Sequence, residues 1–150
     1  TLWARASWPR PRAWTARGRA VSFPVAMAVA WFAFLAAAIV FAAVREKLVA
    51  PITGEQAAHV SGTLAYTAFL WLVLGYLVAA WPEAAPADWW RTGAAWCLAT
   101  IAFEFVFGRW VAGHSWSALL ADYNVLRGRL WVLVPASLLL GPALLHRAFF

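Results

Sequence analysis

Apolar residues in this chain gather into four long runs, separated by short stretches that hold almost all of the charge. The first run covers 20–44, the second 57–81, the third 90–108 and the fourth 130–145. A helix needs about 20 apolar residues to cross a bilayer, so each run is a candidate span. The runs are continuous rather than alternating, which selects helices over a closed barrel as the way to satisfy the backbone in lipid. The fourth run is the shortest and holds Pro135 and Pro142, so a kink is expected there. Between the third and fourth runs, "GHSWSALLADYNVLRGRLW" (113–131) has a different pattern. Ser115 suits a helix N-cap, and Trp116, Leu119, Leu120, Tyr123 and Leu126 recur at helical spacing. Gly128 suits a helix end, so 115–127 reads as a short amphipathic helix lying in the membrane surface. The pattern predicts an all-α membrane protein: four transmembrane helices with a short interfacial helix between the third and fourth.

Composition agrees. Of 150 residues, 65% are hydrophobic and 12% charged, where a soluble domain carries about 25% charge. The twelve tryptophans suit the boundary between lipid and water. Residues 1–19 form an Arg/Trp-rich tail with Arg5, Arg10, Arg12, Arg17 and Arg19, which supply most of the net charge of +6. Next to a membrane segment, such a tail is expected to lie on anionic headgroups rather than on nucleic acid. The domain division is thus an interfacial tail, 1–19, and a four-helix transmembrane domain, 20–150. The 25 apolar residues of the first run exceed the roughly 7–15 residue core of a cleaved signal, so a retained helix is expected. One cysteine, Cys97, excludes an internal disulfide.

Four spans would put both termini on one side and the loops after the first and third spans together on the other. Those two loops are crowded with polar groups: Arg45, Glu46, Lys47, Glu55 and His59 against Arg109, His114, Asp122, Asn124, Arg127 and Arg129. The remaining loop carries Glu83, Asp88 and Arg91 among prolines and alanines. Seven Lys and Arg lie on the terminal side and five on the crowded side. The positive-inside rule then expects cytoplasmic termini in a multi-pass protein of the inner (plasma) membrane.

Within the third span, "IAFEFVFGRW" (101–110) places Glu104 among phenylalanines. Gly93, Cys97, Thr100, Glu104 and Gly108 share one stripe, all small but the glutamate, with Trp96, Phe103, Phe105 and Phe107 around the rest. Small residues let membrane helices approach closely, so Glu104 should face the bundle. It lies about 7.5 Å of helix rise before Arg109, in the outer third of the membrane. A lone carboxylate there costs a few kcal/mol, so pairing is expected with an arginine or His59 of another helix. His59, Thr63, Tyr66 and Leu70 form a facing stripe on the second span; Ala26, Ala30, Ala33 and Ala37 form one on the first. The candidate polar cluster, a structural clamp or a ligand site, is therefore Glu104, Arg109, Arg45, Glu55, His59, His114, Asp122, Asn124, Arg127 and Arg129.

His59, His114 and His146 are too scattered for a metal motif, and no catalytic triad, phosphate loop or HExxH is present. No catalytic residue, metal or cofactor is expected, and bound lipid is the expected small molecule. A short echo links "FAAVR" (41–45) to "FVFGR" (105–109) at the ends of the odd-numbered spans. On "FEFVFGRW", "SWSALLADYN", "GRLW" and "REKLVAPITGEQAAHVSGTL", the chain resembles an uncharacterised family of small bacterial four-helix integral membrane proteins, over about 20 to 145. That resemblance implies the fold and no activity. Small size and close-packing stripes favour a non-catalytic accessory or scaffold subunit of a larger membrane complex. Its expected partners are membrane lipids and other membrane subunits or further copies of itself. A small oligomeric transporter or channel with its site near Glu104 is the alternative, and a lipid- or quinone-handling membrane enzyme the third.

Overall fold

The computed structural model describes residues 21–121 and 123–150, apart from the side chain of Arg127; the tail, 1–19, and Asp122 lie outside the described residues. Every regular element among them is helical. In chain order they are α1 (Phe23–Val44), a π turn (Arg45–Val49), α2 (Ala50–Thr53), α3 (Glu55–Ala80), α4 (Pro86–Val106), a second π turn (Phe107–Val111), α5 (Trp116–Ala121), a 3-10 turn (Val125–Arg127) and α6 (Leu133–Phe149). Three continuous helical stretches, Phe23–Thr53, Glu55–Ala80 and Pro86–Val111, are long and apolar enough to cross a membrane. The fourth apolar helix, α6, has 17 residues.

The first correction concerns the charged stretch after the first span, which is not a loop. α1 continues through its π turn into α2, and the break comes only at Gly54. Pro51 explains the π turn. Its missing N–H removes one helical bond, and the wider turn just before it, closed by Ala50 N–H to Arg45 C=O, absorbs the defect. Gly54 adopts φ 84° and ψ 159°, a region open essentially to glycine alone. Nothing lies within 4 Å of a Cβ added there, so Gly54→Ala carries backbone strain without a clash. It should cost about 1–3 kcal/mol in a detergent melt. A melt unchanged from wild type would mean the reversal at Gly54 is looser than described.

α6, the shortest of the four long helices, is the most buried. It packs along both α3 and α4, while α1 meets its neighbours sparsely. The approach to α4 is set at Gly93, where an added Cβ would sit 2.4 Å from the carbonyl oxygen of Leu139 and 3.0 Å from that of Leu138. Pro142, inside α6, has no N–H to offer Leu138 C=O. α6 runs as one helix across that residue, and Pro135 sits in its first turn, where a missing N–H matters little.

The core joins Met27 and Phe34 of α1, Tyr66, Leu70, Leu74 and Val78 of α3, Trp89 and Trp96 of α4, and Val134 and Leu138 of α6. Two expectations change here. Ala33 is exposed, and α1 turns Met27 and Phe34 inward, flanked by half-buried Ala30 and Ala37. Trp96, placed with the large residues around the rest of α4, is buried. Indole N–H groups explain the second change, because they cross-link helices: Trp96 to Met27 C=O at 3.0 Å, Trp31 to Thr100 Oγ1 at 3.1 Å and Trp71 to Ser137 Oγ at 3.0 Å. An indole is amphipathic, and a neighbouring helix supplies its acceptor as well as headgroup water does. The echo at the ends of the odd-numbered spans reappears in the elements, since α1 and α4 both run into a five-residue π turn.

Candidate functional site

The expected stripe on α3 is met in full: His59, Thr63, Tyr66 and Leu70 are all buried. Their polar end faces α4 where Glu104 projects, and a cavity of about 430 Å³ lies between them, covered by the 113–131 segment. Its wall includes Arg45, His59, Glu104, His114 and Arg129, which are five of the ten residues in the expected cluster. Arg109 is not among the lining residues; it is exposed, with its guanidinium 6.0 Å from the Trp116 ring centroid. Glu55 is exposed in the first turn of α3, and Asn124 precedes the 3-10 turn without capping it by its side chain. Asp122 and the Arg127 side chain fall outside the described residues.

Glu104 accepts two hydrogen bonds from the covering segment, both from residues outside the expected partner set. Tyr123 O–H donates to Oε2, and Trp131 Nε1–H donates to Oε1 at 2.5 Å. Each donor ring is itself held by stacking: Tyr123 on Phe105 at 6.0 Å and Trp131 on Tyr66 at 6.4 Å. Tyr66 is anchored in turn, its O–H donating to Phe34 C=O at 2.8 Å. The carboxylate therefore ties α4 to the cover and to the approach into α6. Neither follows from the sequence as a partner, because Tyr123 falls on the expected apolar face of the short helix and Trp131 in the fourth apolar run. Their polar tips are the signal that was available.

The cover itself differs from the expected helix over 115–127. Ser115 does cap it, accepting from Ala118 N–H at 3.2 Å, but α5 ends at Ala121. Two i to i+3 bonds, Tyr123 N–H to Leu120 C=O and Asn124 N–H to Ala121 C=O, then tighten the chain into a turn. An exposed helix this short is marginal by itself, so the bond between Tyr123 and Glu104 outweighs continuation of the helix. Leu119 from α5 seats on Gly108, where an added Cβ would lie 2.5 Å from its Cδ2. Gln56 Nε2–H bonds Gly128 C=O at 3.2 Å and fastens the far end to α3. Leu126, on the expected apolar face, has 99% of its surface free of protein contact, as a side chain turned to lipid would.

On the α3 side, Arg45 bridges Glu46, at 2.9 Å, and His59 Nδ1, at 3.1 Å. A guanidinium only donates, so Nδ1 accepts and the imidazole carries its proton on Nε2. The other ring nitrogen, Nε2, is turned into the buried interior. Gly62 makes room for this arrangement, since the Arg45 side chain lies 3.1 Å from where its Cβ would be. Among the described residues, no group of three or more His, Cys, Asp or Glu is placed to hold a metal ion.

The arrangement joins apolar walls, a few fixed polar groups and a cover. Comparison of the chain with family models, curated proteins and solved structures returned no match.

Proposed function

We propose that this protein is a membrane-embedded binding protein that takes the head of a lipid-soluble molecule into the cavity beside Glu104. One observation carries the reading: a covered space of about 430 Å³, mostly apolar, with polar side chains at one end. Small-molecule sites are clefts of about 300–1,000 Å³ with this mixture of surfaces. In this proposal the helices cross an inner (plasma) membrane with cytoplasmic termini, and α6 is the fourth crossing. Its 17 residues rise about 25 Å, and tilt of its neighbours or local thinning accommodates the difference from a hydrocarbon core of about 30 Å. A path through a single chain is obstructed by Leu70, Leu74, Leu138 and Trp96, all buried below the cavity. That favours a binding site over a channel within one chain, and an oligomeric transporter would need its path between copies.

Ala112 lines the cavity and is otherwise exposed, so a large side chain there can fill the space without entering the core. Protein extracted in mild detergent should retain a small-molecule adduct in native mass spectrometry, and Ala112→Trp should lose it while melting like wild type. A bare polypeptide mass from every mild detergent tried would remove the basis for this reading.

The accessory-subunit reading rests on a different observation. Val25, Val29, Phe32, Ile39 and Val40 leave one side of α1 apolar and exposed, a surface for another membrane subunit or a second copy as well as for lipid. Isolation from native membranes as a lone monomer would count against it.

A further inference from the structure

A second cavity of about 190 Å³ lies among α1, α4 and α6, and it shares Ala38, Ala42, Tyr66, Phe103, Glu104 and Trp131 with the larger one. The two are therefore adjoining spaces with Glu104 and its bonded Trp131 at the junction. Their chemistry differs. The larger space carries Arg45, His59, His114 and Arg129 on its wall. The smaller adds only Trp31, Phe34, Leu35, Ile39, Thr100, Val134 and Leu138 to the shared residues.

The polar atoms of the smaller space are engaged within the protein. Thr100 Oγ1 accepts from Trp31, Tyr66 O–H donates to Phe34 C=O, and Glu104 accepts from Tyr123 and Trp131. A hydrocarbon is the occupant that leaves those bonds intact.

The smaller space also reaches the outside of the bundle. Ile39 and Ala42 line it and are exposed, on the helix that meets its neighbours most sparsely. Side-chain bonds join α1 to α4 at Trp96 with Met27 and at Trp31 with Thr100, both in the first half of α1. Beyond Trp31 the smaller cavity lies between α1 and α4.

We infer that the ligand is a single-chain amphiphile with an acceptor-bearing, anionic head, which enters sideways from the lipid between α1 and α4. Its head occupies the larger cavity and its chain lies in the smaller one. The inference rests on the binding reading above and adds the ligand class and the route. The head is an acceptor because Arg45, on the wall of the larger cavity, has five N–H donors and uses two of its nitrogens on Glu46 and His59. The chain gains little affinity from leaving lipid for another apolar surface, so its part is to select the route rather than to tighten binding.

The test uses a lysophosphatidylglycerol in two photoreactive forms, one with a diazirine at the end of the acyl chain and one with a benzophenone on the head. Both are added to the full chain in nanodiscs, with crosslinks mapped by peptide. The head probe should label residues 112–131, and the chain probe should label 35–42 and 100–107. Ala38→Trp, which fills the junction, should abolish seam labelling by the chain probe. Ala33→Trp, on the exposed side of the same helix, should label like wild type. Head labelling with the chain probe absent from the seam would overturn the sideways route and leave the binding reading standing. Absence of both labels would overturn the two together. Mapping on the unsubstituted protein decides the matter should Ala38→Trp prove unstable.

Discussion

Gly93→Val should be among the most damaging single substitutions in the bundle. It should lower stability by about 3 kcal/mol or more and separate α4 from α6, because the obstruction is backbone. The added carbons would fall on the carbonyl oxygens of Leu139 and Leu138, at 2.4 and 3.0 Å from the first of them, and no rotamer moves a carbonyl. Gly93→Ala should cost about 1–3 kcal/mol for the same reason on a smaller scale. Gly75 is the internal control. A Cβ there meets only the tip of Phe149, at 4.0 Å, so Gly75→Ala should be neutral, or stabilising by up to about 1 kcal/mol through helix propensity. Thermal unfolding in one detergent, with all three variants side by side, checks the set. Equal melts for Gly93→Val and wild type would mean that α4 and α6 do not approach as described.

Glu104→Leu should be nearly as costly, by a different mechanism. It leaves the Tyr123 O–H and the Trp131 N–H, both half-buried, without their acceptor. Each orphaned donor costs about 1–3 kcal/mol, so the pair should cost about 2–6 kcal/mol. The loss should be local as well as global, because these two bonds fasten the cover. Hydrogen exchange should accelerate across 113–131 while the amides of α3 around Leu70 and Leu74 stay protected. Glu104→Gln keeps one carbonyl oxygen but turns an amide NH₂ toward the other donor, so about 1–3 kcal/mol is expected. Tyr123→Phe in the Glu104→Leu background should then add little, since the bond it would remove is already gone. Additive losses in that double variant, or unchanged exchange over 113–131, would show that the glutamate does not hold the cover.

Much of the fold can be read from the one-dimensional pattern, since long apolar runs in lipid leave the backbone few other choices. The inward turn of His59, Thr63, Tyr66 and Leu70 was readable for a similar reason: 3.6 residues per turn aligns them before any partner is known. The inward placement of Glu104 followed from the small residues sharing its stripe. The bonds from Tyr123 and Trp131 did not, because these residues are 19 and 27 positions away, one on an expected apolar face and the other in an apolar run.

The same contrast runs through the chain. Hydropathy and length are local sums, so they settle the all-helical class and the presence of helices long and apolar enough to cross a membrane. The extension of α1 through Pro51 to Gly54, the burial of Trp96 and the early end of α5 depend on which acceptor or carbonyl a neighbouring segment presents. The central place of α6 is the clearest case. It is the shortest of the four long helices and falls below the length of the three that can cross a membrane, yet it is the axis on which α3 and α4 pack. Only the meeting of Gly93 with the Leu138 and Leu139 carbonyls puts it there, a contact between residues some 45 positions apart whose geometry exists only once the helices are assembled.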